Sequence, residues 1–593
     1  MIRYAFLIFF TLISCTSFAQ IPHVEWVKTL DSYQQFVSMP YSSEPKAIVE
    51  DRDKNIYVAG MFLRSLDLDA GAGADSVYSE NFGTYIIKYT PGGEYLWGKT
   101  IPNTKAHCLA TDNAGNIYLG GEMYGSVDFD AISGRDTFTS KGAADFYLAK
   151  INIDGDVVWV RASGSYYGDA VLGITADDNG NVYTTGYMYG NVDFDERNPG
   201  AINYITMYSD AFIARYNVNG DLDWSHRIHG AGGDNGYGIR LSQSNELVIV
   251  GGTEGCRFVN GGSLYAGNGR NDGFVAKYNR MSGNLIWAKV FGGNMDEWNT
   301  SVDVDVEGNI YVGGAFSSSS FNFESGNPAT VIAKSGGGTY STDAYLLKLG
   351  ADGSFKWANS TQSLKDEVIN SVQVDDSGYV YGTGRFGEGS SSVTMSFSPG
   401  FNSGQVLNSI AGVDIFILKT GNDGTLKWSA SYGTEAMNDL GASLYVNDKF
   451  EVYFSGMIGK TTRFGPVDID PVTGLDNALG QISNATSDHN TSTFFMKYRQ
   501  YENDSVSVPT SLEDLGLIGL HVYPNPARDV LYVEAEGQFK RMVICDVLGR
   551  TILDQKIRQS KEMINIRHLP PGQYFLNIYS EKELSGRSTF IKE

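Results

Sequence analysis

Five aspartates, Asp169, Asp234, Asp296, Asp366 and Asp439, each stand at or just before a short apolar segment, one in each of five successive stretches of similar sequence. Oxygen ligands drawn from several chain segments suit a hard cation, so this set is expected to ring calcium or the amines of a partner. The competing reading is that acidic residues cap turns and stay hydrated. Other candidates carry less. Asp51-Arg-Asp53-Lys-Asn55 alternates like a calcium loop, but it lacks the later bidentate Glu and falls on a hairpin turn. The Val-Asp-Phe-Asp phrases at Asp128/Asp130 and Asp193/Asp195 return in similar form at Asp67/Asp69 and Asp468/Asp470, which marks a structural position of a repeat rather than paired catalytic carboxylates. Of seven histidines only His226 and His229 are close, and no Glu completes a zinc helix there. Gly230-Ala-Gly-Gly233 lacks the helix and Lys of a phosphate loop, and no Gly-x-Ser-x-Gly elbow is evident. Tyr166, Tyr167, Tyr237 and Trp298 could stack on sugars or protein, or simply pack.

These residues are positioned by a repeat. Aligning on the glycine that closes the phrase Asn116-Ile-Tyr-Leu-Gly-Gly121 gives Gly60, Gly121, Gly186, Gly251, Gly314, Gly384 and Gly456. The segments before these glycines are short, β-branched and aromatic, and bounded by turn formers, as strands are. A second apolar phrase ends in a cation (Lys88, Lys150, Arg215, Lys277, Lys348, Lys419, Lys497), and in the first six units a hairpin turn leads on to a tryptophan (Trp97, Trp159, Trp224, Trp287, Trp357, Trp428). Cation and indole are expected to face each other across the hairpin, with the charge on the ring. Four strands per unit cannot bury both faces alone, so seven sheets should stack radially. The seventh unit has no tryptophan, while Val24-Glu-Trp26-Val-Lys has no unit before it. The expectation is that this N-terminal strand completes the last sheet, with Trp26 beside Lys497, so that the ring hides its edges.

The recurring phrase resembles the bacterial seven-bladed β-propeller repeat, over roughly residues 24 to 500. The resemblance implies an all-β fold, a seven-bladed β-propeller closed by an N-terminal strand, and no reaction. Tracing the strands sends the tight turns to one face and the connections between sheets, with the long insertions, to the other. Loops on one rim of a rigid scaffold usually carry function.

The chain has 593 residues, 13% aromatics, 70 glycines and a net charge of −23. That balance argues against nucleic acid and anionic lipid as partners. Residues 1–19 read as a signal peptide, with a lipobox alternative at Leu12-Ile-Ser-Cys15, and no other stretch approaches the ~18 apolar residues of a membrane span. Cleavage after Ala19 leaves Cys108, Cys256 and Cys545, too scattered for a disulfide framework. The propeller is expected over 20–500, a polar linker over 501–516, and a small β-sandwich over 517–593. His521-Val-Tyr-Pro-Asn-Pro526, Asp546-Val-Leu-Gly-Arg550 and Leu569-Pro-Pro-Gly-Gln-Tyr574 stand in order in this last part. It is similar to the C-terminal sorting domain of the type IX secretion system of the Bacteroidota, which implies export to the outside or to the outer-membrane surface and engagement of that machinery through residues 517–593. The function expected is a secreted or cell-surface scaffold that binds an extracellular protein, glycan or cation without catalysis, with no cofactor other than calcium. The alternatives are a hydrolase or lyase acting on extracellular polymers and a structural surface component.

Overall fold

The structure is a computed structural model. It describes residues 23–592 except 31–42, 70–74, 130–136, 196–202, 259–263, 325–326, 335–337, 389–391, 398–399, 410–411, 434–438, 460–490, 500–519, 524–525, 536–540, 547–550, 557–560, 581–582 and a few single or paired positions. The expected signal peptide, lipobox and linker, together with Asp130, Asp468 and Asp470, lie outside the described residues. The described residues fall into two compact units, one holding the strands up to Arg499 and the other those from Leu520.

Among the described residues the first unit contains seven antiparallel sheets of four or five strands and four two-stranded hairpins. Sheet I is Ser43–Glu50, Ile56–Asp67, Ser76–Tyr89 and Tyr95–Pro102. Sheets II to VI repeat that order with first strands Thr104–Thr111, Ala170–Ala176, Asp234–Leu241, Glu297–Val304 and Glu367–Val374. Sheet VII is Leu440–Val446, Val452–Gly459 and Thr491–Arg499, and its fourth place is taken by His23–Leu30, with Trp26 paired to Lys497. The first strands pack on one another in cyclic order, from sheet I to sheet VII and back to sheet I. The borrowed strand is therefore where the tryptophan count places it.

The repeat glycines have a steric cause. A Cβ on Gly60, Gly121, Gly186 or Gly251 would lie about 2 Å from a carbonyl oxygen of the neighbouring first strand. The first strand bulges opposite each glycine, which brings its backbone too close for any side chain.

Cation and tryptophan face each other in register in every sheet, as at Lys88/Trp97 and Lys150/Trp159. In six of the sheets, however, the cation lies over the tyrosine of the second strand, as Lys88 over Tyr57 at 5.1 Å, Lys150 over Tyr118 at 5.5 Å and Lys348 over Tyr311 at 5.0 Å. The expected contact with the indole is corrected on this point. The indole is engaged elsewhere, because its N–H donates to a turn carbonyl of the next sheet: Trp97 to Ile153, Trp159 to Val218, Trp357 to Asn422, and Trp26 to Pro91 across the closure. These four tryptophans, and Trp287 through Ala351, thus latch one sheet to its neighbour, whereas the buried indole N–H of Trp224 has no such partner.

The first hairpin turns are held by a carboxylate clasp. Asp112 accepts from the Ala114 and Asn116 amides and from the Tyr118 hydroxyl at 2.8 Å, and the turn at Asp51, Asn55 and Tyr57 is built alike. The alternation at Asp51 is therefore a turn. Tyr118 is fully buried. Tyr118→Phe is expected to lower stability by about 1–3 kcal/mol, because Asp112 loses a buried donor. Urea denaturation reads this, and an unchanged midpoint would count against the clasp.

In the second unit a three-stranded sheet (Leu520–Tyr523, Val530–Ala535, Lys561–Asn565) and a four-stranded sheet (Arg541–Asp546, Thr551–Lys556, Gly572–Ser580, Glu583–Lys592) share a core of Leu531, Val533, Ile544, Leu576 and Phe590. Among the described residues no helix is long and apolar enough to cross a membrane.

Candidate functional site

The five predicted carboxylates stand at the loop end of the first strands of five different sheets. Asp169, Asp234 and Asp439 are buried, whereas Asp296 and Asp366 are half-buried. In sheets V and VI the equivalent register position is held by the next residue, Glu297 or Glu367, which is fully buried. Among the described residues no three of His, Cys, Asp and Glu are grouped so as to hold a metal ion.

These carboxylates are bonded to the backbone of their own junctions. Asp169 accepts from the Ser165 and Tyr189 amides, both at 2.7 Å, and Glu297 from the Gly293 amide at 2.6 Å. Asp234 accepts from the Thr253 hydroxyl and Glu367 from that of Thr361. Each also has an acidic counterpart at the start of the third strand of the preceding sheet: Asp145, Asp210, Asp272, Asp343 and Asp414 are all buried there. Burial pushes Asp169 up to about 7 and Asp234 and Glu367 up to about 8, and the neighbouring Asp145, Asp210 and Asp343 push the same way. The two junctions flanking sheet I have hydroxyls instead, Thr84 with Thr104 at 2.8 Å and Thr493 with Ser43 at 2.9 Å. The sequence missed this pairing, although an Asp two residues before the aromatic of the third strand (Asp145, Asp210, Asp272, Asp343, Asp414) was a readable period.

The Val-Asp-Phe-Asp phrases build small two-stranded hairpins, Ser126–Asp128 with Thr137–Thr139 and Asn191–Asp193 with Asn203–Ile205, whose Phe129 and Phe194 are buried. Asp193 accepts from the Asp195 amide at 3.1 Å, a turn contact. His226 stacks on Trp224 at 5.3 Å, and burial lowers the pKa of both His226 and His229. Tyr166 and Tyr167 stand exposed on the loop rim, Tyr167 stacked on Tyr189 at 4.1 Å.

A different set of residues meets at a cavity among the first strands of sheets II to V. The bulge in each first strand leaves one extra residue: Lys46, His107, Leu172, Tyr237, Thr300, Asn370 and Ala442, in order from sheet I to sheet VII. His107, Leu172, Tyr237 and Thr300 line one cavity of about 440 Å³, together with Asn271 and Trp298 at the loop end. Nearer the tight-turn face Arg240 of sheet IV links three successive sheets, 2.6 Å from Asp303 of sheet V and 3.1 Å from Gln373 of sheet VI. At the mouth His107 Nε2 is 2.9 Å from Glu122 Oε1, Lys105 lies 3.8 Å from Glu122, and Tyr124 donates to Glu122. Burial would raise Glu122, but His107, Tyr124 and Lys105 together hold its pKa down at about 2, so it is ionised. No residue type announces a bulge, which is why this set, apart from Tyr237 and Trp298, escaped the sequence.

Residues 521–593 match the family model of the secretion system C-terminal sorting domain. Over 473 residues the chain is 22% identical to an uncharacterized WD repeat-containing protein, L264, of Acanthamoeba polyphaga mimivirus, and this covers 66% of the chain but 34% of that relative. The chain thus spans about a third of the length of the curated relative it matches. Among solved structures it is similar to PorZ, a surface component of the type-IX secretion system of Porphyromonas gingivalis, at 13% identity and TM-score 0.35, covering 95% of this chain and 61% of that one. It is also similar to the β-propeller domain of the Trilobed protease from Pyrococcus furiosus, at 11% identity and TM-score 0.31, covering 65% and 91%. The C-terminal part is therefore a sorting domain of the type IX secretion system, and the chain that carries it is a secreted or cell-surface protein.

Proposed function

We propose that the seven sheets form a closed seven-bladed propeller, that the C-terminal unit is a sandwich acting only in export, and that the propeller is a non-enzymatic scaffold binding an extracellular ligand at the loop end of its central cavity. One observation carries this reading. Positions the fold needs repeat from sheet to sheet, the glycine in all seven and the clasp tyrosine in six, whereas the bulge position carries Lys, His, Leu, Tyr, Thr, Asn and Ala in turn. A position that geometry repeats seven times and chemistry does not is free to serve a ligand, and bulges are common beside functional sites. The test is a photo-crosslinking residue at Leu172 in the full chain, exposed to culture medium and cell envelope. Capture from the cavity, absent for the same residue at the outward-facing Val158, supports the reading, and equal labelling at both defeats it.

The sequence-based proposal that Asp169, Asp234, Asp296, Asp366 and Asp439 hold calcium is tested in the same experiment, by adding calcium or a chelator. A second reading, hydrolysis or elimination on an extracellular polymer, draws on the His107/Glu122 contact, which has the form of a base held by a carboxylate. It requires turnover that His107→Gln abolishes.

The sorting domain sets the expected export phenotype. Removing residues 521–593 is expected to leave the protein in the periplasm of a host with the type IX machinery, read by fractionation and immunoblot. Surface display or release without the tail would defeat that role.

A further inference from the structure

The central cavity, at about 440 Å³, lies within the roughly 300–1,000 Å³ of small-molecule clefts, and nearer the tight-turn face Arg240, Asp303 and Gln373 tie sheets IV, V and VI together. A cavity of this size takes a small molecule or the end of a chain.

The lining favours an uncharged ligand, since none of the six residues that form it is Asp, Glu, Lys or Arg. Glu122 is already paired with His107, Lys105 and Tyr124, and Lys105 lies over the rings of Tyr124 and Phe82 at 4.7 and 5.2 Å. Lys46 is 2.5 Å from Glu44. Glu122, Lys105 and Lys46 thus each have a counter-charge, so a ligand drawn to any of them would have to break an existing pair before gaining one. The lining itself is two broad rings, Trp298 and Tyr237, beside the amide of Asn271 and the imidazole of His107. The side-chain oxygen of Asn271 is buried and accepts no hydrogen bond within the protein. A buried acceptor of this kind is satisfied by a ligand's O–H or N–H.

Flat rings beside hydrogen-bonding side chains match a pyranose, which offers an apolar C–H face and a belt of hydroxyls. We infer that the cavity takes the neutral end of a glycan, one or two sugar rings, with Trp298 and Tyr237 against the ring faces and a sugar hydroxyl donating to Asn271. This rests on the binding reading above and names its ligand class. The source is either a free oligosaccharide or the same sugars carried on a lipopolysaccharide.

The experiment is calorimetric titration of the full chain with cellotriose, mannotriose, xylotriose and chitotriose, and with lipopolysaccharide bearing neutral outer sugars. An acidic uronic-acid trisaccharide and a Lys/Arg-rich peptide serve as contrasts. At least one neutral probe binds, and Trp298→Ala and Asn271→Ala each weaken it, the former by about tenfold or more. Thermal melts confirm that both variants fold, and Tyr208→Ala, on the exposed rim, leaves binding unchanged. Binding of lipopolysaccharide but no free trisaccharide assigns the source and supports the inference. Binding of no neutral probe, neutral binding indifferent to both variants, or binding of the acidic sugar or peptide alone overturns it. In that last case capture at Leu172 still upholds a binding cavity, so the two failures are distinguishable.

Discussion

Expressed from residue 31 onward, without His23–Leu30, the protein is expected to lose at least about 5 kcal/mol of stability and to associate. Leu30 is fully buried, Trp26 packs on Tyr453 and Phe495 at 6.1 and 6.3 Å, and its indole donates to Pro91 across the closure. Burying side chains of this size contributes about 1.5–3 kcal/mol each, and the total is comparable with the roughly 5–15 kcal/mol margin of a folded domain. The loss has a second part. Thr491–Arg499 pairs with His23–Leu30 on one side only because that strand is borrowed, and without it a full row of backbone donors and acceptors is opened. Open edges pair with other copies, so size-exclusion chromatography should show oligomers alongside the lowered melting temperature. Lys497 also loses Glu25 at 3.0 Å, while keeping Glu451 at 2.7 Å. Circular permutation that places residues 23–30 after Arg499 should restore the monomer and its melt. A truncated chain that stays monomeric and melts within about 2 °C of the parent would mean that the closure contributes little.

The closure was legible because it depends on counting. Seven cation phrases, six tryptophans after them and one tryptophan before any unit leave a single solution, and Trp26 does pair with Lys497. The strands were legible because period and turn chemistry are local properties of sequence. The contact between cation and indole was misread for a related reason. Spacing correctly put Lys88 opposite Trp97, but only packing decides that the ammonium leans over Tyr57 while the indole N–H reaches Ile153 of the next sheet. The site was harder still. Asp296 and Asp366 were chosen by residue type, and a one-residue difference in register hands their place to Glu297 and Glu367. His107, Leu172 and Thr300 come together because each is the unpaired residue of a bulge, and a bulge is a relation between two strands that no single strand announces.

The junction carboxylates predict an unusual response to pH. For ordinary ion-paired carboxylates the folded-state pKa is depressed and stability is lost on acidification, as Glu122 at about 2 should contribute below pH ~4. Asp169, Asp234 and Glu367 are shifted the other way, to about 7, 8 and 8, because burial beside a second acid disfavours the charge. The unfolded chain releases these protons near its ordinary carboxylate pKa of about 4, and the folded chain holds them until pH 7 or 8. Between those limits the folded state binds more protons, so stability is fully present below pH ~4 and falls as pH rises through 8. Each tenfold shift in proton affinity is worth about 1.4 kcal/mol, so the combined loss between pH 5 and pH 9 should reach several kcal/mol, read as a falling midpoint of urea unfolding. Self-repulsion at a net charge of −23 pushes the same way, so the slope alone does not identify its source. Glu367→Gln separates the two. It removes one charge from a surface-wide field, a small change, but it replaces a fully buried acid with a neutral group that can still accept from Thr361. The variant should match the parent at pH 5 and exceed it by a few kcal/mol at pH 9. A flat or rising stability from pH 5 to pH 9, or a variant with the parent's slope, would mean that the junction acids are ionised in the folded protein and held there by donors stronger than the Thr361 hydroxyl and its equivalents.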